Sequence, residues 1–236
     1  MNGLASRTYA LTQIPRLSLE EAEALQTMLS RKVMLEDCLP DPIRTVAGVD
    51  VAYSDRHSFG AVAAFDYASM RPIETRTARR ATRFPYIRSF LSFRELPPTL
   101  AAIRKLCAKP DIYLVDGHGR AHPRRLGFAS HLGVVLDVPT IGVAKGLLCG
   151  GIGTGATHRW SPIVHEGEIV GAALYTRENA KPIYVSIGHK VSLAMAVGIV
   201  LHCTRRYRVP EPLREAHMVA QRYRKSQGAK EYLEKP

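Results

Sequence analysis

The chain has 236 residues, with 33 Lys and Arg against 21 Asp and Glu, a formal charge of +12. Apolar residues are 46% and charged residues 23%, which excludes a wholly disordered chain and allows one α/β domain with a sizeable core. Such an excess of positive charge favours a polyanionic partner, nucleic acid or an anionic membrane surface.

The longest uncharged apolar-rich stretch, Val191 to Thr204, is shorter than the roughly 20 residues a spanning helix needs, so no membrane span is expected. Met1 to Arg16 has no continuous apolar segment of the signal-peptide kind. Cys38, Cys107, Cys149 and Cys203 lie far apart without a C-x-x-C pair, which reads as free thiols in a reducing, cytoplasmic setting.

In chain order, Ser18 with Glu21 three residues on is a capping box opening an amphipathic helix through Leu29. Three strand-like runs follow, Thr45 to Tyr53, Gly60 to Tyr67 and Pro72 to Thr82, joined by short polar turns as an antiparallel meander. Pro97 and Pro98 predict a helix start, with the helix running through Cys107. A short buried strand Ile112 to Val115, a helix Arg125 to Leu136 and a strand Thr140 to Val143 have the order of a parallel βαβ unit. A hairpin turning at His165-Glu166-Gly167-Glu168 comes next, then a strand Ile183 to Ile187 and helices beginning near Ser192 and Pro212. From Arg222 onward the chain is charged and reads as loose. The expected organisation is one domain over residues 1–225 and a charged, flexible tail over 226–236.

Asp50 lies inside Val46-Ala47-Gly48-Val49-Asp50-Val51-Ala52-Tyr53, where a carboxylate among Val and Ala is costly without a partner. The strand alone leaves two readings open: a buried Asp satisfied by backbone donors or an Arg, or a functional acid. Asp116 ends the apolar run Ile112-Tyr113-Leu114-Val115 and precedes Gly117-His118-Gly119; α/β sites collect outside the carboxyl ends of parallel strands, but Asp-Gly is also a common turn. Taken singly, Glu95 reads as a solvated first-turn acid, and Lys145 as a lysine snorkelling to solvent. His122 and His217 carry no signal alone. Two acids at strand positions in a basic protein together suggest a divalent-metal site acting on phosphate, since carboxylates suit Mg²⁺. The sequence contains no H-E-x-x-H, Gly-x-Ser-x-Gly or Gly-x-x-x-x-Gly-Lys-Ser/Thr, so zinc-peptidase, serine-hydrolase and P-loop readings lack their motifs.

Several longer segments resemble the endonuclease V, or deoxyinosine 3′-endonuclease, family. They are Val46-Ala47-Gly48-Val49-Asp50, Phe84-Pro85-Tyr86-Ile87, Phe93-Arg94-Glu95, Asp116 through Pro123, and Thr140 through Lys145. Tyr184 through His189, Pro210-Glu211-Pro212 and Ala216-His217 extend the resemblance over nearly the whole chain. It implies a single-domain α/β fold, an RNase H-like mixed sheet flanked by helices, with Asp50 on the first strand and Asp116 ending the fourth. It implies Asp50, Glu95 and Asp116 as metal ligands for Mg²⁺, with Mn²⁺ able to substitute, and His122, Lys145 and His217 beside them as catalytic residues. The implied activity is hydrolysis of the second phosphodiester 3′ to a deaminated adenine, leaving 3′-hydroxyl and 5′-phosphate ends. Pro85, Tyr86 and Ile87 match the family's strand-separating wedge, and Leu91, Gly117 and Gly119 fall where it holds the extruded base. Extrusion is required because a base can be inspected closely only outside the stack. Two departures from the family stand out: Arg88 and Ser89 follow Ile87 where Pro-Tyr-Ile-Pro is common, and Ala194 stands where an acid is common.

The leading expectation is therefore a monomeric repair nuclease for inosine-containing DNA, with inosine-containing RNA a second substrate. The alternatives are an RNase H-like structure-specific nuclease with little base preference, and a non-catalytic nucleic-acid binder. Three intact acids count against the binder, because carboxylates beside phosphate are repulsive without metal.

Overall fold

The Ser18 hydroxyl accepts a hydrogen bond from the Glu21 amide at 3.1 Å, and the Glu21 carboxylate accepts from the Ser18 amide at 2.8 Å. This reciprocal pair opens α1 (Leu19–Ser30) as its sequence predicts. The structure, a computed structural model, describes residues 17–155 and 159–233, with side chains described through residue 227. The expectation for Met1 to Arg16 lies outside the described residues, as does the end of the expected tail.

Nine strands among the described residues form one mixed sheet. They are β1 (Thr45–Tyr53), β2 (His57–Asp66), β3 (Pro72–Ala81), β4 (Ile112–Asp116) and β5 (Thr140–Ala144). The remainder are β6 (Gly151–Ile152), β7 (Trp160–His165), β8 (Glu168–Leu174) and β9 (Ile183–His189). Their spatial order is β3-β2-β1-β4-β5-β9-β8-β7-β6. The meander β1-β2-β3 is antiparallel, whereas β4 runs parallel to both β1 and β5, as the βαβ pattern requires. The other pairings are antiparallel.

Two apolar layers sandwich the sheet. On one face Ala47, Val49 and Val51 of β1 pack with Phe93, Leu96 and Leu100 of α2 (Leu91–Ile103) and Leu132 of α3 (Phe128–Leu136). On the other, Val46, Ile112, Leu114 and Ile141 pack with Val197 and Ile199 of α4 (Leu193–Cys203) and Leu213 of α5 (Glu211–Leu233). Alternate residues of β1 thus serve different layers, the period-two pattern of a strand buried on both sides. Gly48 lets α5 sit directly on β1, since a Cβ there would lie 2.1 Å from the Pro212 backbone. No helix among the described residues is long and apolar enough to cross a membrane, and all four cysteines are free.

Four helix boundaries differ from the sequence reading. α2 starts at Leu91, after a 3-10 turn at Arg88–Phe90, and holds Pro97 and Pro98 in its interior. Proline is favoured in a first turn but tolerated deeper when burial compensates, and Pro98 is buried here. That helix ends at Ile103; beyond it the Cys107 and Ala108 amides donate to the Glu74 carboxylate at 3.0 and 2.9 Å. α3 starts at Phe128, not Arg125, because Arg125 takes a left-handed φ of 56° that no helix continues through. The chain after Arg222 is helical to Leu233, correcting the expected loose segment. Val219 and Tyr223 pack on Phe59 and Ala61, with the Tyr223 ring edge-on to Phe59 at 5.8 Å, so an apolar stripe anchors a helix otherwise dominated by charge.

Candidate active site

β1, β4 and β5 end at one edge of the sheet, and that edge gathers the chemically active side chains. Asp50 is on β1, Asp116 is the last residue of β4, and Lys145 directly follows β5. Asp50 points towards α5, where His217 Nδ1 lies 2.7 Å from its Oδ2. Its other oxygen accepts from the Val51 amide at 2.8 Å, so a buried carboxylate is held in one orientation. Ligand atoms of Asp50, Asp116 and His217 all lie within 4.8 Å of one another. Lys145 Nζ pairs with Asp116 Oδ2 at 2.5 Å.

Glu95 approaches from the opposite face, on α2. It stands apart from that tight group and accepts from the Tyr53 hydroxyl at 2.6 Å. The Arg94 guanidinium lies 4.8 Å from the centre of the Tyr53 ring. Alternation along β1 explains the split: Asp50 and Tyr53 are three residues apart in a strand and point to opposite faces.

Burial raises the Glu95 pKa to about 8 from 4.5; the Tyr53 hydrogen bond opposes this, while the Asp50 and Asp116 charges add to it. Burial, reinforced by Asp50, also raises Asp116, with Lys145 acting against the shift. The hydrogen bond to Asp50 raises the imidazole of His217 above its ordinary value. Burial thus disfavours charge on Glu95 and Asp116, and a hard cation would offset that cost. The donor set, two carboxylates and an imidazole with a third carboxylate nearby, fits Mg²⁺ or Mn²⁺.

These shifts make metal-free stability depend on pH. Because the folded Glu95 holds its proton more tightly than the unfolded chain does, its stabilising contribution is complete below about pH 4.5. It is lost as pH rises to about 8. In EDTA, the wild-type melting temperature should therefore fall more steeply across that window than that of Glu95→Gln. Parallel curves would show that Glu95 is ionised throughout.

Beside the acids opens a pocket of about 110 Å³. Leu91, Gly117, Leu126 and Phe128 supply apolar wall, Glu95 and Asp116 line it, and Arg88 and Leu148 also border it. Gly119 does not line it. A Cβ at Gly119 would lie 2.0 Å from the Ile187 carbonyl oxygen, so that glycine serves the packing of the loop against β9. His122 lines the pocket but keeps neither ring nitrogen for a ligand. Nδ1 accepts from the Arg124 amide at 3.1 Å, which leaves Nε2 to donate to the Ser89 carbonyl at 2.9 Å. Burial lowers its pKa to about 4, so it is a neutral strut in the wall. Pro85 and Tyr86 are exposed on the loop before the Arg88–Phe90 turn, and Ile87 is half-buried against the α2 core. Ala194 lies in the first turn of α4.

Among the residues that the sequence did not single out are Tyr53 and, in the pocket wall, His118 and Phe128. An aromatic ending a strand that carries a buried acid is the one signal that could have marked Tyr53. The other two are assembled only by the fold.

The sequence profile of the Endonuclease V family matches residues 27–218. An endonuclease V from Nostoc sp. is 50% identical over 208 residues, 86% of this chain and 94% of that protein. The crystal structure of endonuclease V from Streptomyces avermitilis superimposes with a TM-score of 0.84 at 38% identity, covering 89% of this chain and 95% of that one. The Ciona intestinalis enzyme, in complex with a 24mer DNA containing an inosine followed by a ribo-adenosine, gives 0.80 at 31% identity, over 88% and 98%.

Proposed function

This chain belongs to the endonuclease V family, and on that premise we propose that it is a Mg²⁺-dependent DNA repair endonuclease for deoxyinosine. The reaction is hydrolysis of the second phosphodiester 3′ to the lesion, leaving 3′-hydroxyl and 5′-phosphate ends. The observation that carries the reading is the convergence of Asp50, Asp116 and His217 beside a base-sized pocket in a chain of charge +12. The inosine-containing DNA bound by the Ciona relative supports the substrate. The ribonucleotide following that inosine supports including inosine-containing RNA as a second substrate. The enzyme acts as a monomer in the cytoplasm, and Mn²⁺ can replace Mg²⁺.

Asp50, Asp116 and Glu95 would hold the metal. When bound, it supplies charge stabilisation at the phosphate and a water of lowered pKa. His217 keeps Asp50 oriented and can accept or give a proton at the exposed edge of its ring. Lys145 offers a point charge to phosphate oxygens. Leu91 and Gly117 receive the extruded base, with His122 bracing the wall behind it.

Pro85, Tyr86 and Ile87 form the wedge. Tyr86 is 67% exposed, which removes it from the core, and the Arg94 guanidinium lies 5.5 Å from its ring centre. An exposed, laterally supported ring can stack where a base has left, a contact worth about 1–3 kcal/mol.

The deciding assay compares inosine-containing and matched control duplexes in Mg²⁺ or EDTA. Cutting of the inosine strand alone, at one position and only with Mg²⁺, is the expected result. Equal cutting of the control would make it a base-indifferent nuclease, and binding without cutting would make it a binder. Tyr86→Ala should lower the inosine-to-control ratio while stability stays within about 0.5 kcal/mol of wild type. A full ratio with an early melt would return Tyr86 to a structural role.

A further inference from the structure

The Arg88–Phe90 turn is fastened from behind. The Ser89 carbonyl oxygen accepts from His122 Nε2 at 2.9 Å, Gln26 Nε2 at 2.9 Å and Arg124 Nη2 at 3.5 Å. Arg124 also holds its guanidinium 4.4 Å from the Phe90 ring centre and donates to the Gln26 side chain at 2.7 Å. These donors come from α1 and from the loop before α3, so two separate elements fix the backbone next to Arg88. The Arg88 side chain is held far less firmly. It is exposed, borders the pocket, and reaches the Leu147 carbonyl at 3.4 Å, well beyond the usual 2.9–3.0 Å of an N–H···O bond. Leu147 lies two residues after Lys145, so the guanidinium bridges the mouth of the pocket towards the loop that carries that lysine.

We infer that Arg88 is a phosphate contact: its guanidinium leaves the Leu147 carbonyl and pairs with the phosphodiester of the nucleotide whose base enters the pocket. This rests on the nuclease reading above. The exchange is favourable because a long bond to a neutral carbonyl gives way to charge-assisted, bidentate bonds to a phosphate. The setting also calls for a cation there. Asp116 lies within the same pocket, and a phosphate nearing its carboxylate meets repulsion that a guanidinium at the rim offsets. The wall is mainly apolar where a base would rest, which leaves the exposed cation to the backbone rather than to a base edge.

The test is a salt titration of duplex binding for wild type, Arg88→Ala and Arg88→Lys, with inosine and control duplexes. Arg205→Ala, the same charge change beside the β2–β3 turn, serves as the control. Arg88→Ala should weaken binding to the inosine duplex roughly tenfold. It should also lower the slope of log affinity against log salt by about 0.9, the share of one phosphate contact. Arg88→Lys should restore most of the slope, and Arg205→Ala should leave it at the wild-type value. An unchanged slope with a lower melting temperature would reduce Arg88 to a tie between loops and overturn the inference. An unchanged slope with an altered inosine-to-control cleavage ratio would overturn it too, in favour of base reading. Failure of the wild type to prefer inosine is a separate outcome; it would remove the proposed function while the slopes still reported whether Arg88 meets a phosphate.

Discussion

Asp50→Asn or Asp116→Asn should lower the single-turnover cutting rate in Mg²⁺ by at least about 10³-fold, with duplex affinity little changed. A cation polarising a phosphate and its attacking water contributes several kcal/mol to the barrier, and each 1.36 kcal/mol is about tenfold. Either substitution removes one of the two carboxylates that converge with His217, yet leaves the basic surface that binds the backbone. The fold should not suffer. Asp116 resists ionisation because of burial and the nearby Asp50 charge, so neutralising either partner relieves repulsion in the metal-free protein. Melting temperature in EDTA at neutral pH should equal or exceed that of wild type, a stability gain at the expense of activity. Near-normal cutting by either variant would refute the metal assignment. A lost rate accompanied by an early melt would instead indicate a damaged fold.

Lys145→Ala should act in two opposite directions. Without metal, Lys145 is the cation on Asp116, with Nζ 2.5 Å from Oδ2 and the side chain about half exposed. A divalent ion must take that place, so removing the lysine removes a competitor, and half-maximal cutting should need less Mg²⁺. The rate at saturating Mg²⁺ should nevertheless fall roughly 10²-fold, the usual scale for losing one preorganised donor at a developing charge. Single-turnover rates across a Mg²⁺ series separate the two effects. An unchanged maximal rate would confine Lys145 to its ion pair with Asp116.

The sequence made the site legible wherever chemistry and local pattern coincide. Asp50 stood out because a carboxylate among Val and Ala is costly without a partner, although the strand alone left a structural role open, and Asp116 because it ends a short parallel strand before glycines. The meander and the parallel crossover were readable for the same local reason, the alternation of apolar residues between turns. Glu95 could be listed but not placed. Its separation from the Asp50–Asp116–His217 group follows from which face of β1 α2 covers, a tertiary fact. His122 carried no signal alone and was implied as catalytic only by the family resemblance; in the structure both its ring nitrogens bond backbone atoms, at 2.9 and 3.1 Å. The Ser89 carbonyl that gathers three donors is main chain, and no pattern of side chains announces a backbone acceptor. α5 was cut short for a different reason: its charged face outweighed the narrow stripe of Val219, Ala220 and Tyr223 in composition.

Asp50 and His217 are hydrogen-bonded across a separation of 167 residues, and Gly48 lies directly beneath the start of α5. During synthesis, the first strand therefore leaves the ribosome long before the helix that covers one of its faces. Until α5 arrives, Val46 and Ala63 lack their cover from Leu213 and Ala216, and Asp50 and Asp116 lack the imidazole. A nascent chain thus carries both acids without the completed group. Docking of α5 closes the apolar layer and completes the cluster of Asp50, Asp116 and His217 in one event.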